Sequence, residues 1–120
     1  MSDIAQANVP ASRVTLLASG ARTTTASATA IPGFAAAAKL VMQLDVTVAS
    51  GTTPTLDVVV QDTVDGTNYN TIATFTQATG VTREVIRLTT AFTDSLRVSY
   101  TIGGVTPSFT FAVITWADSV

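Results

Sequence analysis

Apolar and polar residues alternate along most of the chain after its first third. Every second residue is apolar from Leu40 to Val48, and the alternation resumes from Leu56 to Val60 and again from Phe109 to Val113. A period of two is typical of a strand with one face in a core, whereas a helix repeats every three to four residues. The pattern therefore predicts strands from Leu40 onward.

About eight strands are predicted along the chain, with turn signals between them. They cover residues 13–19, 22–31, 40–48, 56–60, 69–77, 82–89, 95–102 and 108–116. The second of these is weakly apolar, which suits the edge of a sheet. No helical repeat lies between the strands, as a parallel sheet would require. The fold class is predicted to be all-β, as a two-sheet antiparallel sandwich or a jelly-roll-like fold.

One phrase occurs twice, as "GTTPTLDVVV" at Gly51–Val60 and as "GVTPSFTFAV" at Gly104–Val113. We interpret each copy as a hairpin, in which glycine supplies backbone freedom and proline opens the returning strand. A residue before proline favours an extended backbone, which is expected here for Thr53 and Thr106. The two hairpins are expected to pack face to face, one per sheet, or to lie side by side. Convergence of two hairpins on the same turn residues is the alternative explanation.

Composition supports strands and a single domain. The chain has 120 residues, of which 47% are hydrophobic and only 12% are charged, and threonine and valine are abundant. β-Branched side chains suit a pleated, half-buried surface. Residues 1–12 are predicted to form a flexible N-terminal arm, and residues 13–120 a single β-sandwich domain.

Charge and hydropathy bear on the partners of the chain. The net charge is −2 and the six basic residues are scattered singly, so no basic stripe is present for nucleic acid. No run approaches the 18 apolar residues of a membrane-spanning helix. The N-terminal segment lacks the features of a signal peptide, and cysteine is absent, so synthesis in the cytoplasm is expected. Neither nucleic acid nor membrane is predicted as a partner.

Catalytic chemistry has few candidates in this chain. Histidine and cysteine are absent, which removes the usual nucleophile systems and most zinc sites. A carboxylate pair remains conceivable among Asp57, Asp62 and Asp65, although Asp62 and Asp65 flank a turn. We predict that the protein is not an enzyme and has no catalytic, cofactor or metal site.

The segment "DTVDGTN" at 62–68 has two interpretations. Asp62, Asp65 and Asn68 could supply oxygen ligands to a structural calcium ion around a glycine. The spacing departs from that of an EF-hand loop, and no terminal glutamate follows. The alternative is a type I′ or bulged hairpin turn at Asp65-Gly66.

Aromatic and arginine residues are candidates for contacts. Trp116 could stack on a sugar, or it could close one end of the core, which is the interpretation favoured by the apolar run before it. The same alternatives apply to Tyr69 and Tyr100. Three arginines, at positions 83, 87 and 97, lie opposite apolar strand faces and are expected to be solvent-exposed, with an acidic partner as the alternative.

The turn-and-strand phrases give the chain a resemblance to a known group of proteins. In "ASGTTPTLDVVVQDTVDGTNY", "ATFTQATG" and "LRVSYTIGGVTPSFTFAVI" the chain resembles small β-sandwich proteins of tailed-bacteriophage virions, of the head decoration or cement type. The resemblance covers roughly residues 40–116, and no catalytic residue belongs to it.

The resemblance implies a structural role. The expected function is to decorate and stabilise the capsid shell on the virion surface, with the major capsid protein as partner and self-association as a homotrimer. The N-terminal arm would become ordered against the capsid or a neighbouring subunit. The alternative is a carbohydrate- or receptor-binding β-sandwich on a virion or tail, with Trp116, Tyr69 or Tyr100 as stacking surfaces.

Overall fold

The fold is all-β, as the alternation predicts. The computed structural model describes residues 11–35 and 37–118, which form six strands and no helix. The strands are β1 (Ala11–Arg22), β2 (Ala26–Ser27), β3 (Lys39–Thr63), β4 (Tyr69–Thr74), β5 (Thr82–Leu88) and β6 (Ser95–Asp118). The described residues accordingly contain no helix long and apolar enough to cross a membrane. Residues 1–10 of the predicted arm lie outside the described residues, and β1 begins at Ala11.

All six strands belong to one antiparallel sheet, so two separate sheets are not confirmed. The order is β1-β6-β3-β4, while β2 pairs with β6 and β5 pairs with β3. The central pair is formed by the two longest strands, which run alongside each other from Lys39↔Asp118 to Thr63↔Ser95. Four of the predicted strands merge into these two, which is why six strands are found instead of eight.

The central pair of strands bends back on itself. A straight strand of 25 residues would be about 80 Å long, whereas the longest dimension of the molecule is 51 Å. Tyr100 and Phe111 both lie on β6, and their rings meet edge to face with centroids 5.3 Å apart. In a straight strand, residues eleven apart would be separated by about 36 Å. The buried faces on the two sides of the bend therefore contact each other.

The repeated phrase forms this bend, and its prediction as two hairpins is wrong. Gly51–Pro54 and Gly104–Pro107 lie inside β3 and β6 and are adjacent to each other, with Thr52 paired to Val105. The strand after each turn pairs with the residues before the other turn, as in Leu56↔Ile102 and Ala49↔Phe109, so neither repeat folds back on itself as a hairpin. The φ angles match, at 114° for Gly51 and 111° for Gly104, and at 47° for both Thr53 and Thr106. The threonines therefore have positive φ instead of the expected extended backbone. The bend folds the sheet out of its plane, so the pairing of β3 with β6 continues through it.

The core consists of the inward residues of both long strands. The fully buried side chains include Leu40, Met42, Leu44, Leu56, Val58, Val60, Leu96, Val98, Phe109, Phe111 and Val113. The inward positions predicted from Leu56 to Val60 and from Phe109 to Val113 are confirmed. Val48 is instead 54% exposed, because a bulge between Val46 and Val48 shifts the alternation by one residue.

Candidate contact surface on the outer face of the sheet

The three aspartates considered as candidates for catalysis make separate contacts. Asp57 accepts hydrogen bonds from Nε2 of Gln77 at 3.1 and 3.2 Å. Asp62 is buried and accepts from the backbone N–H of Thr93 at 3.0 Å and from its hydroxyl at 3.1 Å. Within the described part of the chain, no three Asp, Glu, His or Cys side chains are grouped so as to hold a metal ion.

Asp65 organises the loop between β3 and β4. Its Oδ1 accepts from the backbone N–H groups of Thr67 and Asn68, both at 2.8 Å, and its Oδ2 accepts from Nδ2 of Asn68 at 2.7 Å. The hydroxyl oxygen of Thr63 accepts from the N–H of Gly66 at 2.8 Å. The hydrogen bonds from Asn68 and Thr67 hold the pKa of the Asp65 carboxyl well below its usual range. We call residues 64–68 the tip, which is a pre-organised anionic turn.

Neither tyrosine presents a free stacking surface comparable with that of Trp116. Tyr100 is only 9% exposed and packs against Phe111. The guanidinium of Arg97 lies over the ring of Tyr69, with its central carbon 3.4 Å from the ring centroid. Nε of Arg97 also donates to Oε1 of Gln61 at 2.9 Å, which fixes the stack.

The three outward arginines differ in their surroundings. Arg83 and Arg87 are exposed, as predicted, whereas Arg97 is half-buried beneath its contacts with Gln61 and Tyr69. Arg83 approaches the carboxylate of Asp45 at 3.7 Å. Arg87 forms no salt bridge with any described residue.

Trp116 points outward, so the prediction that it closes the core is wrong. Its side chain is 46% exposed. Val113 and Thr115 point into the core, so the strand pleat directs Ile114 and Trp116 to the opposite face. The same alternation that places Phe109, Phe111 and Val113 in the core puts Trp116 on the outer face, because Trp116 is three residues from Val113.

Trp116 lies in a shallow depression across four strands. Trp116 pairs with Arg13 of β1 on one side and with Val41 of β3 on the other, while Ile114 pairs with Gln43. The depression has a volume of about 260 Å³. We call its lining the Trp116 face: Arg13, Val41, Gln43, Val85, Ile114 and Trp116.

The sequence did not identify the neighbours of Trp116. Val41, Val85 and Ile114 come together through the register of β3, β5 and β6, which pairs Gln43 with both Ile114 and Val85. The pleat indicates which residues face outward, but it does not indicate which strands are adjacent. Arg87 lies in the same cross-strand row, opposite Val41, and adds a second guanidinium at the rim.

Comparison with known proteins assigns no family to this chain. The sequence matches no protein-family model, and no curated protein matches it significantly. The function is therefore inferred from the residues of this chain and from the resemblance of its turn-and-strand phrases.

Proposed function

We propose that this protein is a non-enzymatic structural protein of a tailed-bacteriophage virion, which binds the outside of the capsid shell and stabilises it. The observation that carries the proposal is the Trp116 face, where a half-exposed tryptophan lies among apolar neighbours on an open sheet surface, as suits a subunit that contacts other copies of itself or other proteins of the virion. Exposed apolar patches on soluble proteins commonly mark contacts with other proteins. Tryptophan and arginine are also the residues that most often dominate the binding energy of such contacts.

We further infer that the bent sheet acts as a β-sandwich, with the two sides of the bend as its layers. The contact between Tyr100 and Phe111 and the complete burial of Leu44 and Val58 support this interpretation. A block of this kind offers broad outer surfaces and a rigid interior. These properties suit a subunit whose proposed partners are the major capsid protein and further copies of itself, as a homotrimer on the virion surface.

Binding to assembled shells tests this proposal. The purified chain is mixed in excess with empty shells of the major capsid protein encoded by the same phage genome, and the shells are sedimented. We expect a fixed number of copies per shell and a higher melting temperature of the shell, because a ligand that binds only the assembled state stabilises it by mass action. Absence of the chain from the pellet at saturating concentration would reject the proposal.

A carbohydrate- or receptor-binding module is the second candidate, and the exposed Trp116 is what favours it. The indole lies beside the amide of Gln43 and the guanidinium of Arg13, a combination that could stack on a sugar ring and donate hydrogen bonds to its hydroxyls. Glycan-array binding that is lost in Trp116→Ala, together with no binding to shells, would favour this candidate over the structural one.

A further inference from the structure

The tip carries a solvent-exposed apolar side chain. Val64 is 81% exposed, more than any other large hydrophobic side chain among the described residues. It is followed directly by Asp65, whose carboxylate fixes the turn through Thr67 and Asn68. Because the turn is already ordered by these hydrogen bonds, burying Val64 in a partner would cost little additional conformational entropy.

The Trp116 face has the properties that complement this tip. It combines an apolar depression of about 260 Å³ with the exposed guanidinium of Arg13 at one side and that of Arg87 in the same row. Neither Arg13 nor Arg87 forms a salt bridge with another described residue. An apolar group next to a carboxylate would therefore find both an apolar surface and an unpaired cation here.

We propose that the tip of one copy docks into the Trp116 face of a second copy. Val64 contacts Trp116 and Ile114, and the carboxylate of Asp65 pairs with the guanidinium of Arg13 or Arg87. The Trp116 face thereby acquires a specific occupant, a second copy of this chain.

The distribution of charge supports this pairing. Five of the six basic residues lie on β1, β5 or the part of β3 before the bend: Arg13, Arg22, Lys39, Arg83 and Arg87. Three acidic residues lie on the same side, Asp45, Glu84 and Asp118, so its charged residues leave a net positive charge. Four of the eight acidic residues lie beyond the bend of β3 or in the loops next to that side: Asp57, Asp62, Asp65 and Asp94. Opposite charges on different parts of one molecule favour contact between unlike surfaces of two copies.

The proposed contact is head to tail. Two Trp116 faces set against each other would bring Arg13 and Arg87 of both copies together, and like charges oppose that arrangement. A contact between different surfaces leaves one tip and one face free until it closes, either as a two-fold dimer with two reciprocal contacts or as a ring of three or more copies. The homotrimer of the proposed structural role is one such ring.

Two single variants and their mixture test the proposal with the full chain. Val64→Ser weakens the tip and leaves the face intact, whereas Trp116→Ala weakens the face and leaves the tip intact. Val81→Ser is the matched control, because Val81 is 70% exposed and lies outside both surfaces. Mass is measured by light scattering after gel filtration over a range of protein concentrations, and folding of each variant is checked by circular dichroism.

We expect wild type and Val81→Ser to form a closed oligomer, as a reciprocal dimer or a ring. Trp116→Ala should weaken association on the order of 30-fold, as for a residue that dominates an interface. At a concentration where wild type is oligomeric, Trp116→Ala alone and Val64→Ser alone should each be monomeric. An equimolar mixture of the two variants should form a one-to-one pair, because the tip of the tryptophan variant still fits the face of the valine variant.

Three results would overturn the docking: a wild type that stays monomeric at every concentration, a Val64→Ser oligomer like that of wild type, or a mixture that stays monomeric. These results are separable from the virion role. A monomer that still sediments with shells would reject the docking alone, whereas an oligomer that never binds shells would reject the virion role alone.

Discussion

Of the seven glycines, Gly51 and Gly104 are the two at which an added Cβ would collide with backbone atoms. A Cβ on Gly51 would lie 2.8 Å from the carbonyl oxygen of Thr106 and 2.9 Å from Cα of Pro107, and a Cβ on Gly104 would meet Thr53 and Pro54 at the same distances. Both glycines also have positive φ. The repeat therefore preserves glycine for two reasons, backbone conformation and the close approach of the opposite strand.

Alanine substitutions separate these two reasons. Gly51→Ala or Gly104→Ala should lower the free energy of unfolding by about 2–5 kcal/mol, because strain in φ and overlap with backbone atoms add together. Gly33→Ala should cost only about 1–2 kcal/mol, since Gly33 has a φ of 106° and open space around it. Urea denaturation measures these differences.

Gly80→Ala is the control for this series. Gly80 has no strained φ and no atom within 4 Å of the added carbon, so its substitution should leave stability unchanged or slightly raised. Equal losses for Gly33→Ala and Gly51→Ala would show that the contact between the repeats contributes nothing.

Asp65 predicts a pH dependence of stability. Its pKa in the folded protein lies below the ordinary value of 3.8. The charged carboxylate therefore stabilises the fold at neutral pH, and the contribution is lost as pH falls below 3.8 and through the lower folded pKa. Asp65→Asn removes the charge but keeps an acceptor oxygen for Thr67 and Asn68.

The measurement is the free energy of unfolding of wild type and Asp65→Asn at several pH values. The difference between them should be constant from neutral pH to about pH 5 and should shrink only in more acidic solution. A difference that already disappears near pH 6 would contradict the hydrogen-bonded turn as its source.

At the scale of the strands, the pattern of the sequence predicted more about faces than about connections. The alternation placed the core positions of β3 and β6 correctly except for Val48, and the predicted strand over 82–89 is close to β5 (Thr82–Leu88). Burial against a core requires this alternation whatever the neighbouring strand is. The face of a strand could therefore be predicted from local sequence alone.

The course of the chain at the repeat could not be predicted in the same way. Glycine and proline at positions 51 and 54 allow a reversal within the plane of the sheet, as in a hairpin, and also allow a bend out of that plane. Both outcomes keep the flanking residues in the same alternation. What selects the bend is a reciprocal close approach between distant parts of the sequence, in which Gly51 lies against Thr106 and Pro107 and Gly104 lies against Thr53 and Pro54.

Substitutions on the two faces of β6 should differ strongly in their effect. Phe111→Ala removes a fully buried ring that packs on Tyr100, so the free energy of unfolding should fall by about 3–5 kcal/mol. Trp116→Ala, on the outer face, should cost less than about 1 kcal/mol in a monomeric sample. Thermal and urea unfolding of both variants measure the contrast, and a similar loss for the two would contradict the outward position of Trp116.

At the scale of the whole molecule, the two outer surfaces have different chemistry although the scaffold repeats. Leu56, Val58 and Val60 correspond to Phe109, Phe111 and Val113 in the core, and all six are buried. On the outer face, however, Gln61 corresponds to Ile114 under the same offset of 53 positions. The repeated interior holds the fold together, whereas contacts with other molecules depend on where the two halves have diverged.

The bend also ties the two sides of the molecule to each other. β3 and β6 each continue through the bend. The same two strands therefore form the centre of the sheet on both sides. A single proteolytic nick between residues 51 and 54 would sever a central strand on both sides at once. Neither side can outlast the other, and the molecule should melt as one indivisible unit.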